Sequence, residues 1–118
     1  MWHKLSMGAQ MAMTQQKHGE AENLLRQAIV EAEKDLGQFD NQVATLCNNL
    51  ANCLRNQGKL AEAEPFYKKA LEVRQKALGP LHKDEIIILE NYARMLKSAG
   101  REDEAKKMEE KALGIMRM

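Results

Sequence analysis

Aromatic side chains are scarce in this chain, with one Trp, two Tyr and two Phe among 118 residues. Proline is scarcer still, limited to Pro65 and Pro80. With few β-branched residues, these shortages disfavour a strand-rich fold and point to helices built from Ala, Leu, Glu, Lys, Gln and Met. An excess of one charge is also missing: the formal net charge is +1, with acids and bases interspersed. A general binder of phosphate backbones needs a one-sided basic excess, so no nucleic-acid partner is expected, although a local basic patch stays open. No apolar run approaches the roughly 20 residues of a membrane span. The Met-rich start, MWHKLSMGAQMAM, is broken by His3, Lys4, Ser6 and Gln10 and makes a poor signal-peptide core. A cytoplasmic setting without membrane attachment is the expectation.

The same shortages bear on catalysis. Cys47 and Cys53 are the only cysteines; they fit no disulfide framework and no redox or zinc pattern, and read as small helical residues in a reducing compartment. His3, His18 and His82 lie far apart, and none is joined by carboxylates at metal-ligand spacing. The glycines are spaced as helix terminators rather than as a phosphate loop. Cys47 lies in an apolar register, where burial disfavours the thiolate. Glu62, Glu64, Glu102 and Glu104 read as solvent-side charge. Met1, Met7, Met11 and Met13 read as gap fillers. No reaction, metal or cofactor is expected.

What the sequence does have is a repeat. Slid by 42 positions it falls on itself: Ala21, Glu22, Ala28 and Gly37 land on Ala63, Glu64, Ala70 and Gly79. Farther on, Asn49, Ala51, Leu54, Gly58, Ala63 and Ala70 land on Asn91, Ala93, Leu96, Gly100, Ala105 and Ala112, with no insertion. Each unit reads as two helices. In the middle unit a first helix (A) is expected from about Asn41 to Gln57, ended by Gly58, and a second (B) from about Lys59–Ala61 to Leu78, ended by Gly79-Pro80. Pro65 falls near the start of that second helix, where a missing N–H costs least. Ala51, Ala63 and Ala70 mark where helix axes approach closely, and Leu50, Leu54, Leu60, Phe66, Tyr67 and Leu71 fill the space around them. A lone pair cannot bury both its apolar sides, so the pairs must stack.

Leu50, Ala51, Leu54, Gly58, Leu60, Ala63, Tyr67 and Ala70 resemble the consensus of the tetratricopeptide repeat (TPR), and the likeness covers almost the whole chain. The long period, seen in NNLANCLRNQGKLAEAEPFYKKALEVRQKALGPLH, looks like the kinesin-light-chain type. The resemblance implies an all-α fold, a right-handed superhelical stack of antiparallel helix pairs with about three repeats and six helices. It divides a single domain, 1–118, into units of about 1–40, 41–82 and 83–118. It also implies a non-enzymatic scaffold that holds extended peptides against its A helices. The outer units depart from the pattern. The first has Gly8 for Leu50 and Gln16 for Gly58, and is expected to be a drifted repeat or a frayed helix. In the third, Leu60, Phe66 and Tyr67 become Glu102, Met108 and Glu109, so its second helix is expected to be a polar C-terminal cap.

A second stripe then needs a purpose. Thr45, Asn48, Asn52, Arg55 and Asn56, with Asn49 at the edge, recur at helical spacing beside the apolar stripe of Leu46, Leu50 and Leu54. Shifted by 42 they become Ile87, Glu90, Arg94, Lys97 and Ser98, with Asn91 alongside; the first unit offers His3, Ser6, Gln10, Met13 and Thr14. The resemblance makes these the groove positions. Asparagine both donates and accepts, so it can pair with the amides of an extended peptide. Arg55, Arg94 and Lys97 would favour acidic residues in that peptide. The competing reading is a merely solvated face, but asparagine weakens a helix and four lie between Asn48 and Asn56 for no packing gain. The lysine of the carboxylate-clamping co-chaperone subclass is absent, its places holding Ser6, Gln10, Asn48 and Asn49. A structural role is the alternative: Trp2, Leu5, Met11, Ile115 and Met116 could be exposed at the ends and stack on another copy, or the chain could be part of a longer array.

Overall fold

A computed structural model of the chain describes residues 2–79 and 81–118. Among them are six helices and no strand: α1 (Trp2–Thr14), α2 (His18–Leu36), α3 (Asn41–Asn56), α4 (Leu60–Leu78), α5 (Glu85–Ser98) and α6 (Glu102–Met116). Short connections fold them into pairs, α1 on α2, α3 on α4 and α5 on α6, and the pairs join through α2 against α3 and α4 against α5. The architecture is an all-α stack of helix pairs. The A helices are α1, α3 and α5; the B helices are α2, α4 and α6.

The alanines sit where the repeat puts them. Ala9, Ala51 and Ala93 on the A helices and Ala21, Ala63 and Ala105 on the B helices are all buried, which lets each pair's axes come close. Leu25, Leu46, Leu50, Leu54, Tyr67, Ile88 and Leu96 fill the core around them. Asp40 starts α3 by accepting from the Gln42 amide at 2.8 Å, which satisfies one free N–H of the first turn. α4 runs through Pro65 without ending. Pro80, expected to help stop that helix, lies outside the described residues, and Gly79 caps it through a bond from its amide to the Gln75 carbonyl.

The turn inside each pair is built the same way three times. At Gly58 and Gly100 the backbone takes φ of 78° and 75°. The following amides, of Lys59 and Arg101, reach back to the carbonyls of Leu54 and Leu96 at 2.9 and 2.8 Å. This double-bonded stop needs a left-handed residue, which glycine adopts without steric cost. In the first pair Gln16 takes that place, at φ 60°, and the Lys17 amide still reaches the Ala12 carbonyl at 2.7 Å. The first helix is therefore not frayed: α1 is continuous and packs on α2. Gly8 lies within it, and a Cβ there would meet Leu24 at 3.4 Å, so the departure from leucine matches a close approach. The ends are also less open than expected, because Trp2 and Ile115 are buried, although Met11 and Met116 are exposed.

Candidate functional site

The face in question starts from α3, where a turn of helix places Asn48, Asn52 and Arg55 in a line beside the buried leucines. The structure divides this line. Asn48 is buried, 7% exposed, and its Oδ1 has no hydrogen-bond partner among the described residues. Asn52 is half-buried and its Oδ1 accepts from the Tyr67 hydroxyl at 2.6 Å, which leaves the amide nitrogen to donate outward. Arg55 is half-buried and its Nη1 donates to the Asn91 carbonyl at 3.2 Å, tying α3 to α5. Asn56 is exposed and Asn49 and Thr45 are half-buried.

On α5 the matching residues are more open, except Asn91. Glu90, Arg94 and Lys97 are exposed, and Ile87 is an exposed apolar side chain among them. Asn91 is buried and its Oδ1 accepts from Arg94 at 3.0 Å. Lys97 reaches across to Glu109 on α6 at 3.0 Å. On α1, Gln10 and Thr14 are exposed, Ser6 and Met13 are half-buried, and His3 stacks on Trp2 with ring centroids 3.8 Å apart. The difference between α3 and α5 has a simple cause: α5 lies against α3, while no described helix lies against α5 on the equivalent side.

Behind this face each junction is locked by an ion pair in one register. At the first, Glu22 accepts from Lys59 at 3.2 Å and from Gln57 at 3.0 Å. The Gln57 bond, opposed by burial and assisted by Arg26 and Lys59, lowers the Glu22 carboxyl below its ordinary range. At the second, Glu64 accepts from Arg101 at 2.8 and 2.9 Å and from the Tyr92 hydroxyl at 2.7 Å. The Arg101 bonds hold Glu64 down to about 2 against the cost of burial. The Tyr92 phenol is pushed up by burial and by Glu64, and burial takes Tyr67 to about 12. The two rings stack at 5.6 Å with planes 10° apart. Reading all four B-helix glutamates as solvent-side charge was therefore wrong for Glu64, which is half-buried and fully engaged; Glu62, Glu102 and Glu104 are exposed. The signal was present, since Glu22/Lys59 and Glu64/Arg101 are one pair repeated at 42 residues.

Cys47 and Cys53 are buried, and burial raises both thiols, Cys47 to about 11. Among the described residues no group of three or more His, Cys, Asp or Glu could hold a metal ion. No helix among them is long and apolar enough to cross a membrane.

A tetratricopeptide repeat family model matches residues 41–118, and the chain belongs to that family. No curated protein sequence matches it. Among solved structures, BtubC (BKLC) from P. vanneervenii is similar at 25% identity and a TM-score of 0.92, over 98% of this chain and 46% of that one. Nearly identical TPR-like repeats from a Podosopora anserina protein assigned as a kinesin light chain share the fold, at 20% identity and a TM-score of 0.82. That match covers 98% of this chain and 55% of the other, so the chain spans about half the length of the structures it resembles. The fold is thus a TPR solenoid of kinesin-light-chain-like repeats, a class that generally serves as a protein-interaction scaffold.

Proposed function

We propose that this chain is a non-enzymatic protein-interaction module, acting as one three-unit domain in the cytoplasm, whose A helices line a concave groove for an extended peptide. One observation carries the reading: Asn56 on α3 and Glu90, Arg94 and Lys97 on α5 hold polar side chains outward on successive A helices. Around them Asn49, Asn52 and Arg55 are half-buried, Asn52 and Arg55 pre-positioned by their own hydrogen bonds, and Asn48 and Asn91 back the surface from inside. Side chains already fixed lose little freedom on binding, which favours affinity. The cations select acidic residues in the partner, and the asparagine amides read its backbone.

The test is titration of a fluorescein-labelled peptide of alternating Asp and Ser, too short to fold, into the chain at low salt. Binding should weaken at least about tenfold in Asn56→Ala/Arg94→Glu, through loss of a charge-assisted contact and an added like charge. Far-UV circular dichroism should be unchanged, since both side chains are exposed and neither joins one helix to another. Equal affinity for the two proteins, or no binding to either, would overturn the reading.

A further inference from the structure

Two guanidinium groups, one from α3 and one from α5, meet on a single asparagine. Arg55 Nη1 donates to the Asn91 main-chain carbonyl at 3.2 Å, and Arg94 Nη1 donates to the Asn91 Oδ1 at 3.0 Å. Arg26, Arg74 and Arg101 each face a carboxylate, on Glu22, Asp84 and Glu64. Among the described residues Arg55 and Arg94 face none, and Asn91 supplies the acceptors of both. A guanidinium carries five N–H groups, so most of the donors on this pair stay open.

The Tyr67 hydroxyl ties a third donor to the same place. Burial raises that phenol to about 12, while Arg55 and Arg94 both pull it down, so the two charges are felt together at its oxygen. The hydroxyl donates to Asn52 Oδ1 at 2.6 Å, which turns the Asn52 amide nitrogen outward. Two cations and one amide donor thus converge, each held by a bond of its own.

The stack does not ask for this cluster. One unit earlier the places of Arg55 and Arg94 hold Met13 and Asn52, and those of Asn91 and Tyr67 hold Asn49 and Leu25. The first pair still packs on α3 there, with no charge at either place. Like charges set side by side oppose folding. A local rule broken with no gain in packing marks a functional site.

The count of charges narrows the ligand. A carboxylate is a monoanion, and one guanidinium fork satisfies it. Two guanidiniums from different helices match a group with about two negative charges and three acceptor oxygens, which describes a phosphomonoester. A nucleic-acid backbone fits worse, because it needs a continuous cationic track. Here Glu90 stands exposed one turn before Arg94, Lys97 is taken by Glu109, and the net charge is only +1.

We infer that Arg55 and Arg94, with the Asn52 amide, form a receptor for the phosphoryl group of a phosphoserine or phosphothreonine in the bound peptide. The inference rests on the groove reading and deepens it, from acidic residues in general to one modified residue seated between α3 and α5.

The probe is the fluorescein-labelled Asp/Ser peptide of the groove test with one central serine phosphorylated, measured by anisotropy beside its serine and aspartate counterparts. Phosphoserine should tighten binding at least about tenfold over serine and about threefold over aspartate, the gain from a second charge-assisted pair. Arg94→Gln and Arg55→Gln should each erase most of that advantage. Arg94 is exposed and bonds only within its own helix, so its variant decides the matter even where Arg55→Gln loosens the stack. Lys34→Gln, at an exposed cation on α2, should change nothing. An advantage over aspartate that is absent from the parent chain, or that survives in Arg94→Gln, would overturn the inference. The groove reading would still stand if the unphosphorylated peptide distinguishes Asn56→Ala/Arg94→Glu from the parent. Binding of neither peptide would sink both. Inorganic phosphate or a short single-stranded RNA that binds as tightly as the phosphopeptide would also overturn the inference, since the pair would then serve another anion.

Discussion

The junction of α2 with α3 and the junction of α4 with α5 use one backbone arrangement 42 residues apart, yet they are held by different chemistry. At the first, Leu25 and Leu50 stand where Tyr67 and Tyr92 stand at the second, all four buried. The leucines ask only for apolar neighbours. The tyrosines carry hydroxyls that need partners once buried, and they find them in Asn52 and Glu64. Glu64 in turn draws in Arg101 with two bonds, while Glu22 receives a single contact from Lys59. The difference teaches that the repeat fixes the geometry of a junction and leaves its polarity free. Both junctions are coupled to charge and hence to pH, the second through Arg101 with a further bond from a buried hydroxyl, the first through Gln57, Arg26 and Lys59 alone.

The largest test of this contrast is Tyr92→Ala, which removes a buried ring and one of the bonds to Glu64 together. It should cost about 4 kcal/mol, and Leu50→Ala, in the matching place, about 3 kcal/mol. Urea denaturation midpoints measure both; a larger loss for Leu50→Ala would break the comparison. Next comes Glu64→Gln, expected to cost about 1.5 kcal/mol near neutral pH, against about 0.5 kcal/mol for Glu22→Gln with its more exposed partner. The sign of the pH dependence follows from the carboxyl of Glu64, held at about 2 in the fold against an ordinary 4.5. Between those values the unfolded chain binds the proton and the folded chain does not. The stability this residue lends is therefore complete above pH 4.5 and lost as pH falls toward 2. Midpoints measured from about pH 5 down to about pH 2.5 should fall less steeply in Glu64→Gln than in the parent chain, because that contribution is already gone. The smallest effect expected is a gain: Gln16→Gly should relieve a left-handed glutamine and stabilise by about 1 kcal/mol, raising Tm by roughly 4 °C. Such a gain would bring the first pair's turn level with those at Gly58 and Gly100.

The 42-residue register made the six helices, their pairing and the buried alanines legible, because each rests on local periodicity and on small residues at contacts. It misjudged α1. Gly8 and Gln16 break the consensus, but helix formation tolerates one glycine and the turn tolerates one left-handed glutamine. The polar stripe was legible as a stripe, not as a set of exposures. Whether Asn48 meets solvent depends on α5 lying over α3, and Arg55 finds its acceptor in a carbonyl 36 residues away. Nothing in the local spacing of α3 carries that information. The engagement of Glu64 could have been found by asking which opposite charges recur together across units, since helical spacing alone compares only neighbours three or four residues apart.

The central helix carries both thiols of the chain, Cys47 and Cys53, each without measurable exposure, the second bonded to the His18 carbonyl of α2. A reagent that attacks thiolates can reach them only when α3 parts from its neighbours. The molecule thus contains its own clock for the opening of its middle layer. The pace of alkylation would read how often the stack comes apart, with no label added to either end.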